Sequence, residues 1–252
     1  MSAFEKIRDF LLDILFPINC ISCGNPGVWL CDACFSKIQL LSFQLCPRCE
    51  KLITQDGRLC SYCKAQSPPL GALIVAARYK KGSISKLVHL YKYNFVEDLQ
   101  APLGKLLVKA LLASGLHVPD FIIPVPLHKR RLRWRGFNQA ELLANHVSWN
   151  LTPGYAIPVF GNVLKRIQYT PPQMKIKDYF QRRKNVRDVF EIYPVKSAKG
   201  GAKQFNGVKN KNILLIDDIA TTGATLFECA RTLKQNGAKF VFAAVIARQE
   251  MK

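Results

Sequence analysis

With 252 residues, 49% of them hydrophobic, the chain has enough material for a buried core, and no run of about 18 uninterrupted apolar residues occurs, so membrane insertion is not expected. A formal charge of +20 attracts phosphate, whether on a nucleotide, a sugar phosphate or a nucleic-acid backbone, and does not choose among them. Residues 1–70 hold seven Lys/Arg against six Asp/Glu and residues 71–252 hold thirty against eleven, so the basic field belongs to the second part.

The first element is an amphipathic stretch from Ser2 to Phe16, with Phe4, Ile7, Leu11, Ile14 and Leu15 on one helical face and Pro17 ending the pattern. Its charges (Glu5, Lys6, Arg8, Asp9, Asp13) are incompatible with the apolar core of a secretion signal, so a docking helix and a cytoplasmic location are expected. Eight of the nine cysteines then fall into four Cys-x-x-Cys pairs: Cys20/Cys23, Cys31/Cys34, Cys46/Cys49 and Cys60/Cys63. Two residues between thiolates let the backbone fold into a knuckle with both sulfurs on one metal, and two knuckles close a tetrahedral site. A reducing compartment disfavours disulfides, and four pairs exceed what thiol exchange needs. The expectation is structural Zn²⁺, one or two ions. An iron–sulfur cluster is the alternative metal, and spacing alone leaves the ligand pairing open, interleaved arrangements included. Ser67 to Gly71 reads as a linker, which divides the chain into residues 1–66 (N-terminal helix and cysteine-rich metal module) and 67–252.

The second part alternates strands and helices. Strands are expected at Ala72–Tyr79, Phe121–Pro126, Ile213–Ile216 and Phe240–Ala247, and an extended segment at Val159–Ile167. Helices are expected at Ser83–Tyr91, Leu99–Leu112, Asn138–Val147 and Leu226–Asn236. That order implies a parallel α/β sheet of Rossmann-like kind with flanking helices, whose ligands sit beyond the carboxyl ends of the strands. Between them runs Lys129, Arg130, Arg131, Leu132, Arg133, Trp134, Arg135, Gly136, Phe137, where basic side chains interleaved with two aromatics can pair phosphates and stack on bases; a solvated basic face fits the arginines equally well. A second basic stretch, from Lys165 to Arg187, includes Arg182, Arg183 and Lys184.

The most informative stretch is Ile213 to Thr225. A short apolar run ends in Asp217 and Asp218, and Ala220, Thr221, Thr222, Gly223, Ala224 and Thr225 lead into a helix. Small residues let the backbone approach an anion, and helix-start amides and threonine hydroxyls donate to it. Two carboxylates can accept from vicinal hydroxyls or hold Mg²⁺. A phosphate beside a diol describes a ribose 5-phosphate. Cys229, on the following helix near Leu226 and Leu233, reads as a buried structural thiol.

This segment resembles the phosphoribosyl pyrophosphate (PRPP) signature of type I phosphoribosyltransferases. The resemblance implies that Asp217 and Asp218 bind the ribose hydroxyls, that Ala220 to Thr225 bind the 5-phosphate, that Mg²⁺ accompanies PRPP, and that the loop Val125, Pro126, Leu127, His128 binds pyrophosphate, with Lys92 and Arg135 to neutralise it. It also implies that the polar, basic region from Lys165 to Arg187 is a mobile loop that closes over the ligand and excludes water.

Over almost its whole length the chain is similar to the ComF family, on the four cysteine pairs, Lys92-Tyr93, Pro124 to His128, Arg135 to Gln139, Thr170 to Gln173, Asn185 to Arg187 and Asp217 to Thr225. Lys129 departs from a common proline, and Gln173 to Asn185 is slightly longer than usual. The resemblance implies a PRPP-binding protein of DNA uptake and natural transformation, with cytoplasmic single-stranded DNA and competence-machinery proteins as partners. The alternative it leaves is an active transferase that moves phosphoribosyl from PRPP to an unknown nitrogen acceptor; no residue can be assigned as acceptor base.

Overall fold

The structure, a computed structural model, describes residues 18–79, 82–93, 96–170, 186–193 and 207–249. The expected N-terminal helix and residues 171–185 of the expected closing loop, with Arg182, Arg183 and Lys184, lie outside the described residues. In chain order the elements are α1 (Asp32–Phe35), β1 (Gln44–Leu45), β2 (Ile53–Thr54), α2 (Ser61–Ala65), β3 (Ala72–Arg78), α3 (Ser83–Tyr93), a 3₁₀ turn (Glu97–Leu99), α4 (Gln100–Ser114), β4 (Phe121–Pro124), α5 (Lys129–Arg135), α6 (Gln139–Asn150), β5 (Leu164–Arg166), β6 (Phe190–Ile192), β7 (Asn212–Ala220), α7 (Ala224–Gln235) and β8 (Phe240–Arg248). No helix among the described residues is long and apolar enough to cross a membrane.

The central sheet has the order β3-β8-β7-β4, all parallel. Its strands read as continuous apolar runs because both faces are covered. Ile74, Leu214, Ile216, Phe242 and Ala244 face one layer, with Leu87, Leu103, Leu107 and Leu143 of α3, α4 and α6. Leu73, Ile213, Leu215, Val241 and Val245 face the other, with Leu226, Cys229 and Leu233 of α7 and Leu164 and Phe190 of the β5–β6 hairpin. Cys229 is fully buried, as its apolar neighbours require. The expected extended segment at Val159–Ile167 narrows to β5, with Val159 alone bridging to Ile122.

β4 stops at Pro124, opposite Ile216, where proline has no N–H to continue the ladder. Beyond this point the chain after β4 goes to the α6 face and the chain after β7 to the α7 face. Two adjacent parallel strands whose connections leave to opposite faces open a crevice at their carboxyl ends.

The cysteine-rich segment covers the free edge of β3. Leu41 N–H donates to the Ala76 carbonyl at 3.0 Å, and Leu73 N–H donates to the Gly57 carbonyl at 2.9 Å. Buried Gln44 acts as a further rung: its Oε1 accepts from Val75 N–H at 2.9 Å and its Nε2 donates to the Val75 carbonyl at 3.1 Å. An uncovered strand edge invites pairing with another chain. Trp29, Leu30, Phe35 and Ile38 pack against the first apolar layer, and Lys109 Nζ lies 4.7 Å from the Phe35 ring. The Ser67–Gly71 stretch is fitted rather than loose: Leu70 is fully buried, Gly71 N–H donates to Val241, and a Cβ at Gly71 would run into the Phe240 ring.

Gln44→Ala removes both bonds to Val75 while that strand edge stays buried. We expect a loss of about 1–3 kcal/mol, because an orphaned buried amide costs its full desolvation. Denaturant unfolding of the metal-loaded protein measures it as a lower midpoint at unchanged slope.

Candidate functional site

The crevice beyond β4 and β7 is a cleft of about 570 Å³. Its floor is the end of β7. Asp218 is 4% exposed and accepts from Lys92 Nζ of α3 at 2.9 Å. Burial pulls the Lys92 ammonium down, but Asp218 and then Asp217 outweigh it and hold the lysine above its usual range. Asp217, beside this neutralised pair, has no ion-pair partner of its own among the described residues. Burial first, and then the neighbouring Asp218, push its carboxyl up to about 7. A carboxylate so placed suits a divalent cation, which would restore the ionised form.

Thr221, Thr222 and Gly223 follow the pair. Gly223 has φ +71° and opens α7, the left-handed conformation that glycine adopts without steric cost. Thr222 Oγ1 accepts from Ala224 N–H at 3.3 Å, so this hydroxyl shapes the loop, while Thr221 and Thr225 line the cleft. The α7 amides and the loop backbone therefore stand at the carboxylates' side, as an anion site needs.

The opposite wall is cationic. Val125, Pro126 and Leu127 line it, fixed by Val125 N–H donating to Ile216 and by Asn138 Nδ2 donating to the Val125 carbonyl. The basic stretch forms the short helix α5, closed at Gly136 with φ +80°. At its start His128 Nδ1 accepts from Arg130 N–H at 3.2 Å. Burial and then Arg166, Arg131, Arg130 and Arg133 lower the His128 pKa, which keeps the ring neutral and able to accept. Arg131, Trp134 and Arg135, at helical spacings of three and four, line the cleft; Lys129, Arg130 and Arg133 are exposed away from it. Trp134 is 63% exposed. Phe137 turns inward: it is half-buried, packs on the first apolar layer and meets the Tyr91 ring at 6.3 Å, so it is not an open stacking surface.

Of the residues singled out by sequence, Lys92, Val125, Pro126, Leu127, Arg131, Trp134, Arg135, Asp217, Asp218, Thr221 and Thr225 converge on one cleft. Ala220 and Ala224 are buried supports, and His128 caps α5. Sequence reading gave no site role to Tyr93, Asn138, Gln139, Arg166 and Tyr169, which also line it. Arg166 donates to Thr170 Oγ1, and Arg131 Nη2 donates to the Thr170 carbonyl at 2.7 Å. Burial lowers the pKa of both guanidiniums, and the two repel each other. Gln139 is 2% exposed, accepts from Arg135 Nη1 at 3.0 Å, and keeps a buried Nε2 without a partner; the Nε atoms of Arg135 and Arg166 are likewise unpaired. With Arg131, Arg135 and Arg166 all lining this wall, it suits a polyanion.

The cysteines resolve into two sequential groups, Cys20, Cys23, Cys31, Cys34 and Cys46, Cys49, Cys60, Cys63, with the sulfurs of each group within 4.8 Å of one another. Cys23 and Cys31 Sγ are 3.7 Å apart and Cys49 and Cys60 Sγ 4.0 Å. Zn–S bonds of about 2.3 Å in a tetrahedron put sulfurs about 3.8 Å apart, so each group fits one structural Zn²⁺. Hydrogen bonding by the Cys31 backbone lowers the Cys20 thiol to about 6, while hydrogen bonds to Cys23 and Cys31 raise Cys34 to about 12. Four thiols so close ionise together only around a cation.

The double zinc ribbon domain family matches residues 11–64, and the phosphoribosyl transferase domain family matches residues 142–252. Competence protein F of Haemophilus influenzae is 30% identical over 243 residues, which span 92% of this chain and 98% of that protein. The DNA utilization protein YhgH of Escherichia coli K12 is 29% identical over 89% of this chain and 94% of its own length. Competence protein ComFC of Bacillus subtilis is 24% identical over 84% and 81%.

Two measurements follow from this geometry. Elemental analysis should find two zinc ions per chain, and Cys46→Ser should leave one. Carbon-13 titration of the carboxyls, with Asp217→Asn to identify the signal, should show Asp217 protonated below about pH 7 and ionised above it. A divalent cation held at this carboxylate would favour the ionised form, so Mg²⁺ that binds there should shift the transition to lower pH.

Proposed function

Since the chain belongs to the competence protein F family, we propose that its cleft binds PRPP with Mg²⁺ and that the protein serves DNA uptake by handling single-stranded DNA in the cytoplasm. In this reading residues 1–66 are the metal module and 67–252 the phosphoribosyltransferase-like domain. The observation that carries it is the meeting of an acidic strand end and a threonine-rich helix start with a wall lined by Arg131, Arg135 and Arg166. Asp217 and Asp218 take the ribose hydroxyls, the Thr221–Thr225 loop takes the 5-phosphate, and Lys92, Arg135 and the Val125–His128 turn face the pyrophosphate. Arg131 and Arg166 add positive charge at the same wall. Mg²⁺ arriving with PRPP supplies neutralisation of the pyrophosphate charge.

The exposed side of α5, with Lys129, Arg130 and Arg133, and the exposed Trp134 ring at the cleft rim support nucleic-acid contact: cations track a phosphate backbone, and an aromatic face stacks a base. Cysteine-ligated zinc suits a reducing compartment. The guanidiniums of Arg131, Arg135 and Arg166 along the cleft also favour a second reading, active transfer of phosphoribosyl to a nitrogen acceptor, because a cation-rich wall stabilises a departing pyrophosphate.

Calorimetric titration of the zinc-loaded protein with PRPP and Mg²⁺ should saturate, and Asp217→Ala with Asp218→Ala should abolish the heat; no saturation at millimolar PRPP in the unaltered protein would sink the reading. Pyrophosphate release followed in the same samples separates retention of PRPP from its transfer. Charge reversal at Arg130 and Arg133 should weaken single-strand binding and flatten its logarithmic salt dependence by about 1.4, about 0.7 for each lost phosphate contact. An unchanged slope would remove α5 from the DNA surface.

A further inference from the structure

Residue 50 occupies a backbone conformation that its side chain makes costly. In the first knuckle the residue after the second cysteine is Gly24, at φ +79°, and its N–H donates to the Cys20 carbonyl at 2.8 Å. The third knuckle closes in the same way: the amide after Cys49 donates to the Cys46 carbonyl at 3.0 Å, and φ is +58°. Here the residue is Glu50. A left-handed conformation is costly for an ordinary L-residue relative to the right-handed one, and glycine bears no such penalty. Nothing in the metal turn calls for a carboxylate. Strain kept at one position points to something the side chain does elsewhere.

Glu50 Oε1 accepts from Nη2 of Arg248 at 2.5 Å, and the two side chains are only 28% and 12% exposed. Arg248 is the last residue of β8. Its Nε donates to the Thr221 carbonyl at 3.3 Å, and the next amide, Gln249 N–H, donates to the Ala220 carbonyl at 2.9 Å. The guanidinium also stands 3.6 Å from the point where a Cβ on Gly223 would lie. Arg248 therefore borders the phosphate loop from behind. Because a trans peptide is planar with its C=O and N–H opposed, holding the Thr221 carbonyl toward Arg248 turns the Thr222 N–H away from it.

We propose that Glu50 is a positioning residue for the phosphate loop. The folded third metal knuckle holds the Glu50 carboxylate, Glu50 holds Arg248, and Arg248 holds the backbone of Thr221 to Gly223 in its anion-binding shape. This rests on the ribose-phosphate reading of the cleft and extends it, since it gives the zinc module a part in that site. Coupling of this kind is reciprocal: what the metal does for the loop, a loop ligand does for the metal.

The test compares the full-length, zinc-loaded protein with Glu50→Gly and Glu50→Gln by zinc content, amide hydrogen exchange across residues 220–225, and affinity for PRPP with Mg²⁺. Glycine suits the left-handed turn, so Glu50→Gly should keep two zinc ions per chain. Loop exchange should nevertheless quicken, and PRPP affinity fall, each by about tenfold. Glu50→Gln keeps an acceptor oxygen and should recover part of both. A purely structural Glu50 predicts an unmoved loop wherever the zinc is retained, and that result overturns the proposal. Should Glu50→Gly lose zinc, Arg248→Met, which leaves the knuckle untouched, replaces it, and unchanged loop exchange there is equally fatal. If PRPP fails to bind even the unaltered protein, the ribose-phosphate reading falls, while the exchange comparison still decides whether Glu50 positions the loop.

Discussion

The buried pair of Lys92 and Asp218 sets the chemistry of the cleft. The two residues are 126 positions apart, and their 2.9 Å contact ties the end of α3 to the end of β7. Taking two charges out of water is expensive, and removing one partner of such a pair leaves the other uncompensated at a cost of about 3–5 kcal/mol. The pair therefore fixes which charges at this strand end are already balanced. Asp218 is answered by Lys92, so Asp217 is left over and holds its proton to about 7. On the far wall Arg131 and Arg166 repel each other and form no ion pair among the described residues. A site with one surplus carboxylate on its floor and surplus cations on its wall is incomplete in two directions. A metal ion at the floor and a polyanion along the wall complete it together.

The zinc module solves a different problem. A small cysteine-rich segment has too little apolar area to fold on its own core, and metal ligation supplies what is missing. Once folded, it presents hydrogen-bonding groups to the bare edge of β3 through Leu41, Gln44 and Gly57. It does so without adding a regular strand, because the rung at Val75 is a glutamine side chain rather than a peptide. The edge of the central sheet is thereby closed by the part of the chain whose stability comes from the metal. Packing of Trp29 and Phe35 against the α4 side makes the same junction apolar.

Features carried by contiguous residues were legible in the sequence. Asp217 to Thr225 is one strand, one turn and one helix start, so its order fixes its geometry. The cysteine quartets were legible as knuckles from spacing alone, but their grouping was not, since nothing local says which knuckle faces which. Tertiary folding settles it: Cys20/Cys23 closes with Cys31/Cys34, and Cys46/Cys49 with Cys60/Cys63. Arg166, Tyr169 and Gln139 escaped notice as site residues because each looks locally like an ordinary strand end, loop or helix start. Their meaning comes from gathering against α5 on one wall: Gln139 accepts from Arg135, and Tyr169 lies against Arg130 and Arg131. Phe137 misled for the opposite reason: its place among arginines suggested an exposed stacking ring, while the turn after Gly136 carries it toward Tyr91.

Helix α5 is where the two proposed chemistries meet. At seven residues it is too short to hold itself, so external contacts must fix it. The His128 ring caps its start, Arg131 reaches the Thr170 carbonyl, and Tyr169 lies between His128 at 5.4 Å and the guanidiniums of Arg130 and Arg131 at 5.1 and 5.7 Å. Helical spacing then sends Arg131, Trp134 and Arg135 into the cleft and leaves Arg130 and Arg133 outside. A ligand that draws Arg131 toward the cleft acts on the same short rod that presents Arg130 and Arg133 to solvent. The inner and outer faces cannot be set independently, because the rod has no stability of its own with which to resist either. On the proposed reading, occupancy of the ribose-phosphate site and contact with a DNA backbone are thus linked through one helix rather than through a path across the protein.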